Sequence, residues 1–142
     1  MRKSPKLLNR QTHKDDRGKV FHYGSSALGG VQRVYFVEPS LESGFRGWHG
    51  HKTESKVFLC ISGRVRISTV EILNWQTPTA LGPVKSFELE SARGDLLLIP
   101  EGYANGIEPL TENSLVLVMS NRSLEESLRD DFRYPKDSFS VD

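Results

Sequence analysis

Short apolar stretches recur along the chain, separated by Gly, Pro, Asn and Ser. That recurrence is the signature of an all-β chain. It predicts strands over Lys19–Tyr23, Val31–Pro39, Arg46–His51, Lys56–Ile61, Arg64–Ile72, Val84–Leu89, Asp95–Ile99 and Ser114–Met119. Ser62-Gly63 predicts a tight hairpin turn between two of these. Pro78 to Pro83 reads as a loop and Glu101-Gly102 as a turn, which leaves Tyr103 and Asn105 on the loop after Pro100. Only one segment is helical in character. Ser123 followed by Glu126 is a capping box, and the helix is expected to run to about Asp131. Its acidic stretch Glu125–Asp131 reads as a solvated face. The tail from Tyr134, with Pro135 in it, is expected to dock on the surface or fray. Many short strands with one late helix predict an all-β barrel or jelly roll.

The chain has 142 residues, which suits one domain with a core over about 15–121 and a helix and tail over 123–142. Nineteen basic residues (Lys+Arg 19) against eighteen acidic (Asp+Glu 18) give a formal charge of +1. A field that weak argues against nucleic acid or a membrane surface as the partner. Cys60 is the one cysteine, so no internal disulfide forms, and its apolar strand predicts an inert core thiol. No apolar run reaches signal-peptide or membrane-helix length, so a cytoplasmic location is expected.

The chemistry concentrates in Arg46-Gly47-Trp48-His49-Gly50-His51-Lys52. On a strand, His49 and His51 share a face, roughly 7 Å apart. Trp48 alternates with them and is expected to pack on the opposite side. The two flanking glycines admit close approach by a ligand or backbone. His13 and His22 have no such pairing and read as surface groups.

The spacing resembles the cupin superfamily, with its double-stranded β-helix or jelly-roll barrel. His49-x-His51 is followed by Lys56 at the usual Glu position and Gly63 as the closing glycine. Gly94, Pro100 and Gly102 match the second motif, with Asn105 where a His is usual. Metal-binding cupins use two His, a Glu and a third His. Here two of the four remain, and the third position holds an amine that cannot ligate while protonated. No metal and no other cofactor is therefore expected, with Glu54 as the one candidate for a displaced ligand.

Two families within that superfamily are closer. Asp15-Asp16-Arg17-Gly18, Arg46-Gly47-Trp48-His49, Lys56-Val57-Phe58 and Ile99-Pro100-Glu101-Gly102-Tyr103-Ala104-Asn105-Gly106 resemble the dTDP-4-dehydrorhamnose 3,5-epimerases. Arg33-Val34-Tyr35-Phe36, Arg46 to Lys52 and Cys60-Ile61-Ser62-Gly63 resemble the dTDP-sugar 3,4-ketoisomerases. The epimerases' strand tyrosine has no counterpart within Leu115–Met119. The resemblance implies an isomerase of a nucleotide-linked 4-keto-6-deoxyhexose, serving deoxysugar biosynthesis for cell-surface polysaccharide such as lipopolysaccharide. In that role His49 is the base, Lys56 steadies the enolate oxygen, His51 acts as a second acid/base and Tyr35 as a donor. Arg46, Arg17 and Arg33, with Tyr103 and Asn105, would hold the substrate. A homodimer is implied too, with the first strands packed into the neighbouring subunit and Arg17 acting across the interface. The alternatives are a non-catalytic sugar-nucleotide-binding cupin and a metal-dependent cupin enzyme.

Overall fold

A computed structural model describes residues 3–23 and 30–140. Two antiparallel sheets carry the architecture. The five-stranded sheet runs β1 (Lys6–Leu8), β10 (Leu96–Ile99), β6 (Lys56–Ser62), β12 (Leu115–Ser120) and β4 (Arg33–Val37). The six-stranded sheet runs β13 (Phe132–Arg133), β5 (Arg46–His51), β11 (Tyr103–Pro109), β7 (Arg64–Asn74) and β8 (Thr79–Ala80), with β9 (Lys85–Glu90) also on β7. A hairpin of β2 (Gln11–Asp15) and β3 (Gly18–His22) stands apart from both. The helix α1 spans Leu124–Leu128.

The inner faces of the two sheets share one core. Phe58, Cys60, Leu97, Val116 and Val118 come from the first sheet, and Val65, Ile67, Leu89 and Ile107 from the second. This is the face-to-face packing of a jelly roll, as the strand pattern predicts. The thiol of Cys60 is buried in it.

The outer faces differ. On the six-stranded sheet Trp48, Val70, Ile72 and Ala104 form a second core, covered by Phe139 from the chain's own tail. The tail docks through backbone bonds of Tyr134 with Trp48 in both directions, each 3.1 Å. No such cover lies on the five-stranded sheet among the described residues, where Val34 and Phe36 are more than half exposed.

Several expectations need correction. Ser62-Gly63 is not a hairpin turn: β6 and β7 belong to different sheets, so the pair is a corner. Gly63 takes φ 73°, and a Cβ there would meet Thr111 Oγ1 at 2.5 Å. Tyr103 and Asn105 are not on a loop but on β11, at the centre of the second sheet. Asn105-Gly106 has turn composition, yet Gly106 serves close packing. A Cβ at Gly106 would lie 2.0 Å from the Phe45 ring. The helix keeps its capping box but ends at Leu128, three residues before Asp131.

Candidate active site

Cross-strand register assembles the site row by row. On the six-stranded sheet Arg133 stands opposite His49, and His49 opposite Asn105. On the five-stranded sheet Arg33, Ser120 and Lys56 form a row across β4, β12 and β6, with Tyr35, Val118 and Phe58 in the next. Strict alternation from His49 would turn Arg46 outward. The register slips between Asn105 and Gly106, so Gly106 faces Gly47 and Ile107 faces Arg46. That bulge returns Arg46 to the side of the two histidines.

Between the rows lies a cavity of about 200 Å³ lined by Arg33, Tyr35, Arg46, His49, His51, Lys56, Asn105, Asp131 and Arg133, with Leu124, Ser127 and Leu128 of the α1 segment. Most of the residues expected at the site are therefore together. Two are not. Arg17 is exposed on the β2–β3 turn and pairs with Asp15 at 2.7 Å. Tyr103 directs its hydroxyl to the carbonyl of Lys3 at 3.4 Å and does not line the cavity.

His49 is half-buried, and its pKa is pushed down to about 4, first by burial and then by the charges of Arg133, Arg46 and Lys56, against Asp131. It is thus a neutral imidazole at neutral pH, with a lone pair able to take a proton. His51 is also lowered, by burial and then Lys56. Its Nδ1 lies 2.8 Å from the backbone carbonyl of Asp130 and 3.4 Å from Glu54 Oε1. Both neighbours are acceptors, so Nδ1 carries the hydrogen. Nε2 is then an acceptor for the Lys56 ammonium, 3.0 Å away. In this arrangement His51 orients Lys56 rather than standing free toward a ligand. The ring of Tyr35 lies under two cations, 4.9 Å from Arg33 and 5.7 Å from Lys56.

Three residues with roles here were not singled out as site residues from the sequence. Asp131 and Arg133 line the cavity, and Asp130 accepts from the backbone of Lys52, Thr53 and Glu54 at 2.7–3.0 Å. The stretch Glu125–Asp131 is therefore only partly a solvated face. The alternation Phe132-Arg133-Tyr134 is a short strand signal, obscured by Pro135. Trp48 faces away from the cavity, as expected.

His51, Glu54 and Asp130 bring possible ligand atoms within 4.8 Å of one another. Each already has protein partners: Asp130 holds the 52–54 backbone, Glu54 takes Ser120 and Ser127, and His51 takes Lys56. These groups fit an internal hydrogen-bond network better than a metal shell.

Two facing antiparallel sheets, with imidazole, ammonium, phenol and guanidinium groups turned into the space between them, define a cupin-type β-sandwich with a polar, largely cationic pocket. The chain belongs to the family described as "FdtA: WxcM-like, C-terminal", which matches residues 3–139. No curated protein matches it. Among solved structures it resembles dTDP-4-dehydrorhamnose 3,5-epimerase from Elizabethkingia anophelis NUHP1, with TM-score 0.80 and 19% identity over 99% of this chain and 81% of that one. The rmlC epimerase of Mycobacterium tuberculosis gives TM-score 0.77 and 22% identity over 98% and 74%. QdtA, a sugar 3,4-ketoisomerase from Thermoanaerobacterium thermosaccharolyticum in complex with TDP, gives 0.70 and 21% over 97% and 93%. At these identities the likeness establishes the shared fold. Among the described residues no helix is long and apolar enough to cross a membrane.

Proposed function

We propose that the protein is an isomerase of a nucleotide-linked, dTDP-type 4-keto-6-deoxyhexose that works by removing a proton beside the ketone. The observation that carries this reading is that a neutral His49 and a Lys56 ammonium held by His51 line one cavity ringed by guanidinium groups. The cavity's volume of about 200 Å³ suits one sugar ring and is small for a whole nucleotide sugar. The diphosphate then lies at the mouth, against Arg46 and Arg133, where guanidinium groups can grip it two-pronged.

His49 takes the C3 proton, and the C3–H electrons form a C3–C4 double bond as the C4 carbonyl becomes an enolate oxygen. Lys56 stabilises that oxygen. In ketoisomerisation the O3–H proton is lost, a proton is delivered to C4, O4 is protonated and the carbonyl forms at C3. In epimerisation the proton returns to C3 from the other face. Ketoisomerisation is favoured by β12, whose inner residues Val116, Val118 and Ser120 include no tyrosine.

The test is incubation with dTDP-4-keto-6-deoxyglucose in D2O, followed by NMR of the sugar protons. Deuterium entering with the carbonyl moved to C3 is expected. Exchange at C3 or C5 with the ketone kept at C4 would make it an epimerase. Binding without exchange would make it a sugar-nucleotide-binding module. We place the enzyme in the cytoplasm, supplying deoxysugars for a cell-surface polysaccharide such as lipopolysaccharide.

We further propose a homodimer built on the five-stranded sheet. Its outer face presents an apolar row of Phe36, Leu117 and Leu59 across β4, β12 and β6, and among the described residues β4 is a free edge. The β2–β3 hairpin needs a surface as well, because an isolated two-stranded ribbon is marginal and its Val20 and Phe21 are more than half exposed. A second copy answers both needs and would carry Arg17 toward the neighbouring molecule. Phe36→Glu is expected to convert a dimer into a monomer in light scattering. A wild-type monomer, or a dimer indifferent to the substitution, would end this reading.

A further inference from the structure

The Glu54 side chain has no solvent exposure, yet five other groups converge on it. Ser120 Oγ donates to Oε2 at 2.5 Å and Ser127 Oγ to Oε1 at 2.7 Å. Arg33 Nη2 reaches Oε2 at 3.2 Å, and Lys56 Nζ stands 3.9 Å from the same oxygen. His51 Nδ1 is 3.4 Å from Oε1. Burial alone would raise this carboxyl, but Lys56, the two hydroxyls and His51 outweigh it and hold it below its ordinary value. The arrangement follows from register, because Arg33, Ser120 and Lys56 form one cross-strand row and the 51–54 turn folds Glu54 over its end. Asp130 pins that turn through the backbone of Lys52, Thr53 and Glu54.

We propose that Glu54 is a positioning residue: its buried carboxylate aims the Lys56 ammonium and the Arg33 guanidinium into the cavity and keeps His51 in its Nδ1-H tautomer. The proposal rests on the isomerase reading for its catalytic consequence, but not for its geometry. Glu54 does not line the cavity and acts through its neighbours. Two cations on one inner row repel each other, and the anion between them lets both point the same way. The Asp130 carbonyl accepts from Nδ1, and the Glu54 carboxylate beside it at 3.4 Å favours a hydrogen there by its charge. Together they leave Nε2 free to receive Lys56, so the ammonium is held at a fixed point instead of sweeping the cavity as a flexible lysine would.

The test is Glu54→Gln, which keeps the shape and some hydrogen bonding while removing the charge. Two readouts are needed. Without substrate, nitrogen NMR of the His51 ring in wild type is expected to show protonated Nδ1 and bare Nε2. The variant is expected to show a mixture of tautomers. With dTDP-4-keto-6-deoxyglucose, kcat is expected to fall about 10- to 100-fold, with KM within about threefold. Glu54→Asp is expected to recover part of the loss because the charge returns. If Glu54→Gln does not fold, Ser120→Ala supplies the same measurement, with a smaller loss in the same direction. An unchanged His51 tautomer, or an unchanged kcat in a folded variant of an active enzyme, would overturn the proposal. If wild type shows no turnover while the tautomer changes as described, the isomerase reading fails and the positioning of His51 by Glu54 stands.

Discussion

Replacing His49 with asparagine is expected to lower turnover by about 10²- to 10⁴-fold, the usual contribution of a general base, while the fold and nucleotide-sugar binding persist. Asparagine keeps a polar side chain in the row between Arg133 and Asn105 but has no lone pair basic enough to take a carbon-bound proton. The wild-type pH profile offers a second check. His49 must be neutral to act, so activity is lost as pH falls through its pKa. In the free enzyme that pKa is about 4, lowered by burial and then by Arg133, Arg46 and Lys56. The acid limb of kcat/KM is therefore expected near pH 4. A bound diphosphate offsets the charge of Arg46 and Arg133, so His49 becomes more basic in the complex. The acid limb of kcat is then expected at higher pH than that of kcat/KM. Coincident limbs, or a His49→Asn enzyme within tenfold of wild type, would remove His49 from the role of base.

The same lowered pKa has a sign for stability. Above the ordinary histidine pKa of 6.5, folded and unfolded chains both hold His49 neutral. Between 6.5 and about 4 the unfolded chain takes a proton that the folded one refuses. His49 therefore adds stability that is present above pH 6.5 and is lost progressively as pH falls to about 4. His51 is lowered too and acts in the same direction.

The strands that stand as short apolar stretches between turn residues were legible in the sequence. Arg46–His51 has the bounds expected, and the Ser123–Glu126 capping box is intact. The capping box is local chemistry that tertiary context did not override. β11 was hidden because Asn105-Gly106 has turn composition, while its glycine answers to the distant Phe45 ring. β1 and β2 carry little apolar periodicity, since β2 is nearly all exposed and β1 lies at a sheet edge. At the site, His49, His51 and Arg46 were found through their spacing. Arg46 faces the cavity only because of a bulge opposite Asn105 and Gly106 across the sheet. Asp131 and Arg133 were not found, because pairing of β13 with β5 joins positions more than eighty residues apart. Glu54 was noticed for its type, but its place at the end of a cross-strand row depends on three other strands.

Trp48→Ala is expected to be the most destabilising single substitution in the second core, costing about 3–5 kcal/mol, or a fall of roughly 10–20 °C in Tm. The side chain is fully buried on the face of β5 opposite the cavity. Its ring lies 5.1 Å from Phe45 and 5.2 Å edge-on from Phe139. Its Nε1 donates to the carbonyl of Lys136 at 3.1 Å. Truncation therefore empties a large site and also unhooks the tail that covers the six-stranded sheet. Trp48→Phe separates the two effects: it keeps most of the ring packing and loses the bond to Lys136, for a cost nearer 1 kcal/mol plus a part of the lost volume. Because Trp48 stands between Gly47 and His49, loosening it frees the strand that carries the base. Exchange activity of Trp48→Ala is accordingly expected to fade at temperatures below its unfolding midpoint, whereas wild type holds activity up to its own. Paired calorimetry and exchange measurements over temperature check this. A Trp48→Ala midpoint within about 3 °C of wild type would show that the tail and second core contribute little to the fold.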